Sequence, residues 1–111
     1  MPRRKISTYI LMMFLIPLSL TFAPHHSLAH TYKPPGGYVQ SADVAIAIAE
    51  VILESIYGEK QIKSEKPLTA TLTKEGIWVV KGTLKKNHKG GVAEIWISKE
   101  DGTIVNVTHG L

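Results

Sequence analysis

SADVAIAIAEVILESIYG, residues 41–58, is the stretch whose reading decides the fold. It predicts one long helix with a start, a stop and apolar residues around most of its circumference. Ser41 suits the N-cap, where its hydroxyl accepts from an otherwise unpaired N–H of the first turn. Asp43 lies in that turn, where the helix dipole favours negative charge. Gly58 suits the left-handed residue that often closes a helix. Between the caps Ala45, Ile48, Ile52 and Ile56 recur at helical spacing, and Ile46, Leu53 and Tyr57 widen the stripe. Asp43, Glu50 and Glu54 form the polar strip and read as a wet helix face. Such a helix needs cover on most sides, and the chain downstream supplies it.

Downstream, Glu59–Pro67 is charged, with a lone Ile62, and reads as a surface connection. Leu68–Thr73 then alternates strictly, as a half-buried antiparallel strand does. Lys74-Glu75-Gly76 fits a three-residue hairpin loop ending in a left-handed Gly. That register sets Leu72 opposite Trp78 and Ala70 opposite Val80, so one face collects Leu68, Ala70, Leu72, Trp78, Val80 and Leu84. A two-residue loop would bring the threonines against Trp78 instead, so the pattern selects the longer loop. Glu100-Asp101-Gly102 repeats the device, predicting Ile97 opposite Val105 and Ile95 opposite Val107. Ala93 completes that core face. The two hairpins, joined by Lys85–Gly91, make a four-stranded meander with the helix across its apolar face. The expected class is α+β: one long helix on a curved four-stranded antiparallel sheet.

Upstream, HTYKPPGGYVQ (residues 30–40) is an extended Pro/Gly arm. Tyr38 is placed to fold back on the first helical turn as a staple. Residues 1–29 read as a secretory signal peptide: a basic start (Arg3, Arg4, Lys5), an apolar run from Ile6 to Ala23 broken by Pro17, and small residues Ser27 and Ala29 before a cut. The other reading is an uncleaved anchor, since the run nears the about 20 residues that a spanning helix needs. Cleavage near Ala29 implies a periplasmic or secreted product of one domain, residues 41–111. Three of the thirteen Lys and Arg lie in the leader, so the remainder carries ten basic and nine acidic residues, a net of +1. The basic character of the whole chain therefore does not argue for nucleic acid. There is no cysteine, so neither a lipid-anchored cysteine nor a disulfide is available.

Function has two candidate surfaces. Alternation puts Thr69, Thr71, Thr73, Ile77, Val79, Lys81, Glu94, Trp96, Ile104 and Asn106 on the outer face of the sheet. Trp96 stands out between Glu94 and Ser98, with Lys81 nearby, because tryptophan is enriched at interface hot spots. The alternative is that the arm, or the mate in a homodimer, covers this face. The second surface is the basic loop Lys85, Lys86, Asn87, His88 and Lys89, which otherwise reads as a solvated tip. No catalytic set is present. The histidines beyond the leader are His30, His88 and His109, and none has metal-ligand spacing. There is no thiol and no GxSxG elbow.

Several strings together resemble a family: GYV (37–39), AIAIAEVILESIYGEKQI (45–62), KPLTATL (66–72), IWVVKGTL (77–84) and GGVAEIWISKEDGTI (90–104). They are similar to the immunity proteins with a nuclear-transport-factor-2-like (cystatin-like) fold from bacterial polymorphic toxin and contact-competition systems. The resemblance spans Gly37 to His109. It implies a protein that binds and neutralises a cognate toxin without a cofactor, and it carries over no catalytic positions. With a single substantial helix the domain reads as a reduced version of that fold, without a central ligand pocket. The expected function is an exported, non-enzymatic immunity protein that occludes its toxin through the Trp96 face or the Lys85–Lys89 loop. The alternatives are a periplasmic accessory or inhibitor domain for an envelope enzyme, and a small-ligand-binding domain.

Overall fold

A computed structural model describes residues 29–110. The expected leader lies outside the described residues, apart from Ala29. Ala29–Tyr32 is exposed and irregular. From Lys33 onward the chain forms one compact unit. Its elements are α1 (Ala42–Tyr57), α2 (Glu59–Ser64), β1 (Thr69–Leu72), β2 (Ile77–Lys81), β3 (Ala93–Ser98) and β4 (Ile104–His109). The strands form one antiparallel sheet in the order β1-β2-β3-β4. This is an α+β meander with two helices where the sequence predicts one.

The ends of α1 follow the sequence reading. The Ser41 hydroxyl accepts from the Val44 N–H at 3.3 Å, and Gly58 closes the helix at φ 97° with its N–H on Glu54 O. The buried stripe differs from expectation: it is Ala45, Ala49 and Leu53, continued by half-buried Tyr57. This is a row of i+4 steps, and at 3.6 residues per turn each step drifts about 40° around the axis. By the last turn the stripe has moved away from Ile56, which is 53% exposed, and Tyr57 packs on the His109 ring instead, at 5.1 Å between centroids. Val51 is 71% exposed on the opposite side. The helix is therefore covered on one side, not on most.

Against that stripe the sheet buries Trp78, Val80, Ala93, Ile95 and Ile97. The first hairpin has the predicted register, Leu72 opposite Trp78 and Ala70 opposite Val80. The second does not. Ile95 pairs with Val107 as expected, but Ile97 pairs with Ile104, because a bulge follows Trp96. The extra residue, Val105, is 51% exposed instead of sharing the core face. The Lys99 N–H donates to Gly76 O, tying the two turns together at 2.9 Å.

The arm is pinned at its end. The Tyr38 N–H donates to Glu100 O and the Val39 N–H to Lys99 O, each at 3.0 Å. The buried Trp78 indole donates to Val39 O at 2.9 Å. Val39 is buried and Tyr38 exposed, so the packing role expected of Tyr38 falls to its neighbour. Gly37 permits this approach: its φ is +85°, and a Cβ there would stand 2.4 Å from Lys99 O.

The stretch 59–67 is more than a surface connection. Gly58 redirects the chain into α2, which buries Ile62 completely and delivers Glu65 into the protein at 5% exposure. The Glu65 carboxylate accepts from the Ala93 N–H at 2.6 Å, from Gln61 Nε2 at 2.8 Å and from His109 Nε2 at 2.9 Å. Gly82 makes room, since a Cβ there would lie 2.8 Å from Glu65 Oε1. Thr83 donates its N–H to Glu65 O at 2.7 Å, which draws the chain off the β2 line and leaves Leu84 exposed instead of on the core face. Burial pushes the Glu65 carboxyl up, but the bonds from Ala93, Gln61 and His109 outweigh it and hold it below the ordinary 4.5. The bond to Glu65, helped by Gly110 O, lifts His109 above its ordinary 6.5.

These shifts set a pH window. A lowered Glu65 stabilises fully above 4.5 and loses its contribution as pH falls through the folded value. A raised His109 stabilises fully below 6.5 and loses its contribution as pH rises through the folded value. The pair therefore contributes most between these limits. Denaturant titrations should show stability declining above pH 6.5, and His109→Gln should flatten that limb. Glu65→Ala, which orphans the buried Ala93 N–H, should cost about 3 kcal/mol or more.

Candidate functional site

With α1 on one face, alternation along the strands fixes what the other face shows. Rows run across all four strands. Thr71, Val79, Trp96 and Asn106 form the central row, and Thr69, Lys81, Glu94 and Thr108 the row beside it. Toward the β1–β2 turn, Ile77 stands opposite Ser98. Trp96 thus lies mid-sheet, flanked by β-branched and polar neighbours, and is 36% exposed.

The indole is oriented. Its Nε1–H donates to Glu94 Oε2 at 2.6 Å, while Lys81 Nζ lies 3.4 Å from Glu94 Oε1. An exposed ion pair of this kind contributes about 0–1 kcal/mol, so its main effect is to hold the ring in one orientation. Beside the ring is a shallow, largely apolar depression of about 310 Å³, lined by Thr73, Glu75, Ile77, Val79 and Trp96. It opens to solvent along one side of the sheet, as a seat for a protruding side chain would.

Of the sequence-derived candidates, the structure brings Lys81, Glu94 and Trp96 into one contact chain. The loop residues Lys85, Lys86, His88 and Lys89 are all exposed, on a turn closed by the His88 N–H and Lys85 O at 3.1 Å. The loop joins the Lys81 end of β2 to β3, whereas the depression lies at the Ile77 end. Four residues of strand, about 13 Å, separate the two, and the structure does not combine them. Thr73, Ile77 and Val79 line the depression from the outer face that alternation assigned them to, whereas Glu75, in the β1–β2 turn, was not assigned to that face.

His109 and Glu65 form a carboxylate–imidazole pair, but the carboxylate is engaged by Ala93, Gln61 and His109, which makes it a structural clamp. Among the described residues no group of three or more His, Asp or Glu is placed to hold a metal. Nor is any described helix long and apolar enough to cross a membrane.

A family model described as NTF2 fold immunity protein matches residues 44–110. The chain is 37% identical over 86 residues to the Escherichia coli K12 protein named "Uncharacterized protein YhhH", covering 71% of this chain and 66% of that one. It is 36% identical over 72 residues to "Uncharacterized protein YbbC" of the same organism, covering 64% and 58%. The chain thus spans somewhat under two thirds of the length of these relatives. No solved structure matches it.

The site geometry sets an optical expectation. The chain has two tryptophans: Trp78, 8% exposed, and Trp96. Acrylamide quenching should fall and the emission should shift to the blue in Trp96→Phe, while the melting temperature stays within a few degrees of the parent.

Proposed function

The chain belongs to the NTF2 fold immunity protein family, and on that premise we propose that it binds and neutralises a cognate bacterial toxin by occlusion. The proposed surface is the outer sheet face centred on Trp96. The observation that carries this reading is the oriented indole beside an open apolar depression, on the face that α1 leaves uncovered. A rigid aromatic with a fixed N–H, next to a seat for an apolar side chain, is the composition of an interface hot spot. Catalysis plays no part in this reading, and no cofactor is required. The basic loop Lys85–Lys89 serves as a secondary, electrostatic contact.

We further propose that the protein acts after export, in the periplasm or outside the cell, on the basis of the residue 1–29 pattern. The toxin would then be one that acts there.

Two measurements test this. Co-expression of the full chain with the toxin encoded beside it should restore growth. Trp96→Ala should weaken complex formation about 30-fold, the equivalent of a 2 kcal/mol hot spot, with the melting temperature nearly unchanged. Unchanged affinity of Trp96→Ala for the toxin would exclude this face. Separately, residues 1–40 fused to alkaline phosphatase, a reporter active only outside the cytoplasm, should give active enzyme.

A further inference from the structure

The depression beside Trp96 has a charged end as well as an apolar floor. Val79 stands directly across from Trp96, and Ile77 lies two residues farther along β2, about 7 Å toward the turn. With the ring, these two side chains make the floor. Glu75 lines the depression from the β1–β2 turn and is exposed. Its carboxylate belongs to none of the ion pairs among the described residues. Lys74, its chain neighbour, is exposed and does not line the depression. The carboxylate nearer the ring, Glu94, is already engaged by the indole N–H and by Lys81. The Trp96 N–H is thus satisfied at the ring edge, which leaves the ring face for a partner, and the carboxylate at that edge adds negative potential to it. An apolar floor, an aromatic face and one uncompensated negative charge meet here, with no cation among the lining residues.

We propose that this depression is a subsite for one arginine side chain of the toxin, with the guanidinium stacked on Trp96 and paired with Glu75. This rests on the toxin-binding reading and names the partner chemistry at the centre of that surface. Three features select the occupant. The Ile77–Val79 floor suits the methylene stem, which long basic side chains lay along apolar surface. A tryptophan face attracts a cation, most often arginine. The carboxylate at the turn end matches the planar fork of a guanidinium, which pairs with it through two parallel N–H bonds. Other occupants fit less well. An acidic side chain meets Glu75 and Glu94 as like charges. A purely aliphatic one covers the floor but takes water from Glu75 without replacing it. Lysine brings the same charge as a compact, strongly hydrated ammonium that neither stacks nor forks. Tryptophan and arginine are also the residue types that most often carry binding energy, and such residues tend to pair across an interface.

Proton–nitrogen correlation NMR of the full chain tests this with no toxin present. The two indole N–H signals separate the subsite from the core, because Trp78 is buried with its N–H on Val39 O. Acetyl-arginine methylamide at millimolar concentration and low salt should move the Trp96 indole signal and the Glu75 amide saturably, while the Trp78 signal stays in place. The acetyl-lysine probe should bind more weakly, and acetyl-norleucine and acetyl-glutamate probes should leave the Trp96 signal unmoved. Glu75→Gln, in an exposed turn, should weaken the arginine probe about fivefold, the upper end for an exposed ion pair, at unchanged melting temperature. Glu75→Lys should abolish its binding. A Trp96 signal that the arginine probe does not move, an equal response to the norleucine probe, or an arginine response unchanged by Glu75→Gln overturns the proposal. Each of these results removes the arginine subsite and leaves the immunity reading standing. That reading fails instead if the parent chain gives no protection when co-expressed with the toxin, whatever the probes do.

Discussion

Burial of one sheet face under the Ala45–Ala49–Leu53 row is the constraint on which the rest depends. Two alanines in that row let the helix backbone approach Trp78, Val80, Ile95 and Ile97, and Leu53 fills what remains. Strand side chains alternate with period two, so fixing Ile95 and Ile97 inward fixes Trp96 outward. The candidate face is thus a consequence of the core. A slip of one residue in either hairpin would exchange the two faces.

The second constraint is the Glu65 clamp. A carboxylate at 5% exposure is tolerable only with its acceptor sites engaged, and here α2, β3 and β4 each supply a donor. The clamp ties the helical segment to the β3 start and the β4 end, far from the β1–β2 turn. The two Trp96-side elements, the depression and the Lys81–Glu94–Trp96 chain, therefore rest on a sheet held at both ends: by Glu65 at one and by the Trp78–Val39 and Lys99–Gly76 bonds at the other.

Much of this was legible in the sequence, for identifiable reasons. Strict alternation from Leu68 to Thr73, with the bulky Trp78 to match against Leu72, selects one register, and the structure has it. Ile104 and Val105 are adjacent and both apolar, so the second hairpin fits two registers equally well by pattern, and the bulge goes unseen. The polar strip of α1 is legible, but the slant of its buried row is not, because apolar residues sit on both sides of it. α2 is six residues long with a single apolar anchor, too short for periodicity to show. A buried glutamate gives no periodic signal either. Its indirect marks are Gly82, which interrupts the alternation of β2, and His109 at the end of β4. Trp96 was legible because an aromatic on the polar side of an alternating strand departs from the pattern around it.

The central claim is that the sheet face carrying Trp96 meets the toxin, rather than the apolar side of α1 that also stays exposed. Hydroxyl-radical footprinting of the protein with and without its bound toxin separates the two surfaces. The account predicts strong protection of Trp96, Val79 and Ile77 in the complex, with Val51 and Ile56 on α1 as reactive as in the free protein. Protection of Val51 and Ile56 with Trp96 unchanged would contradict it.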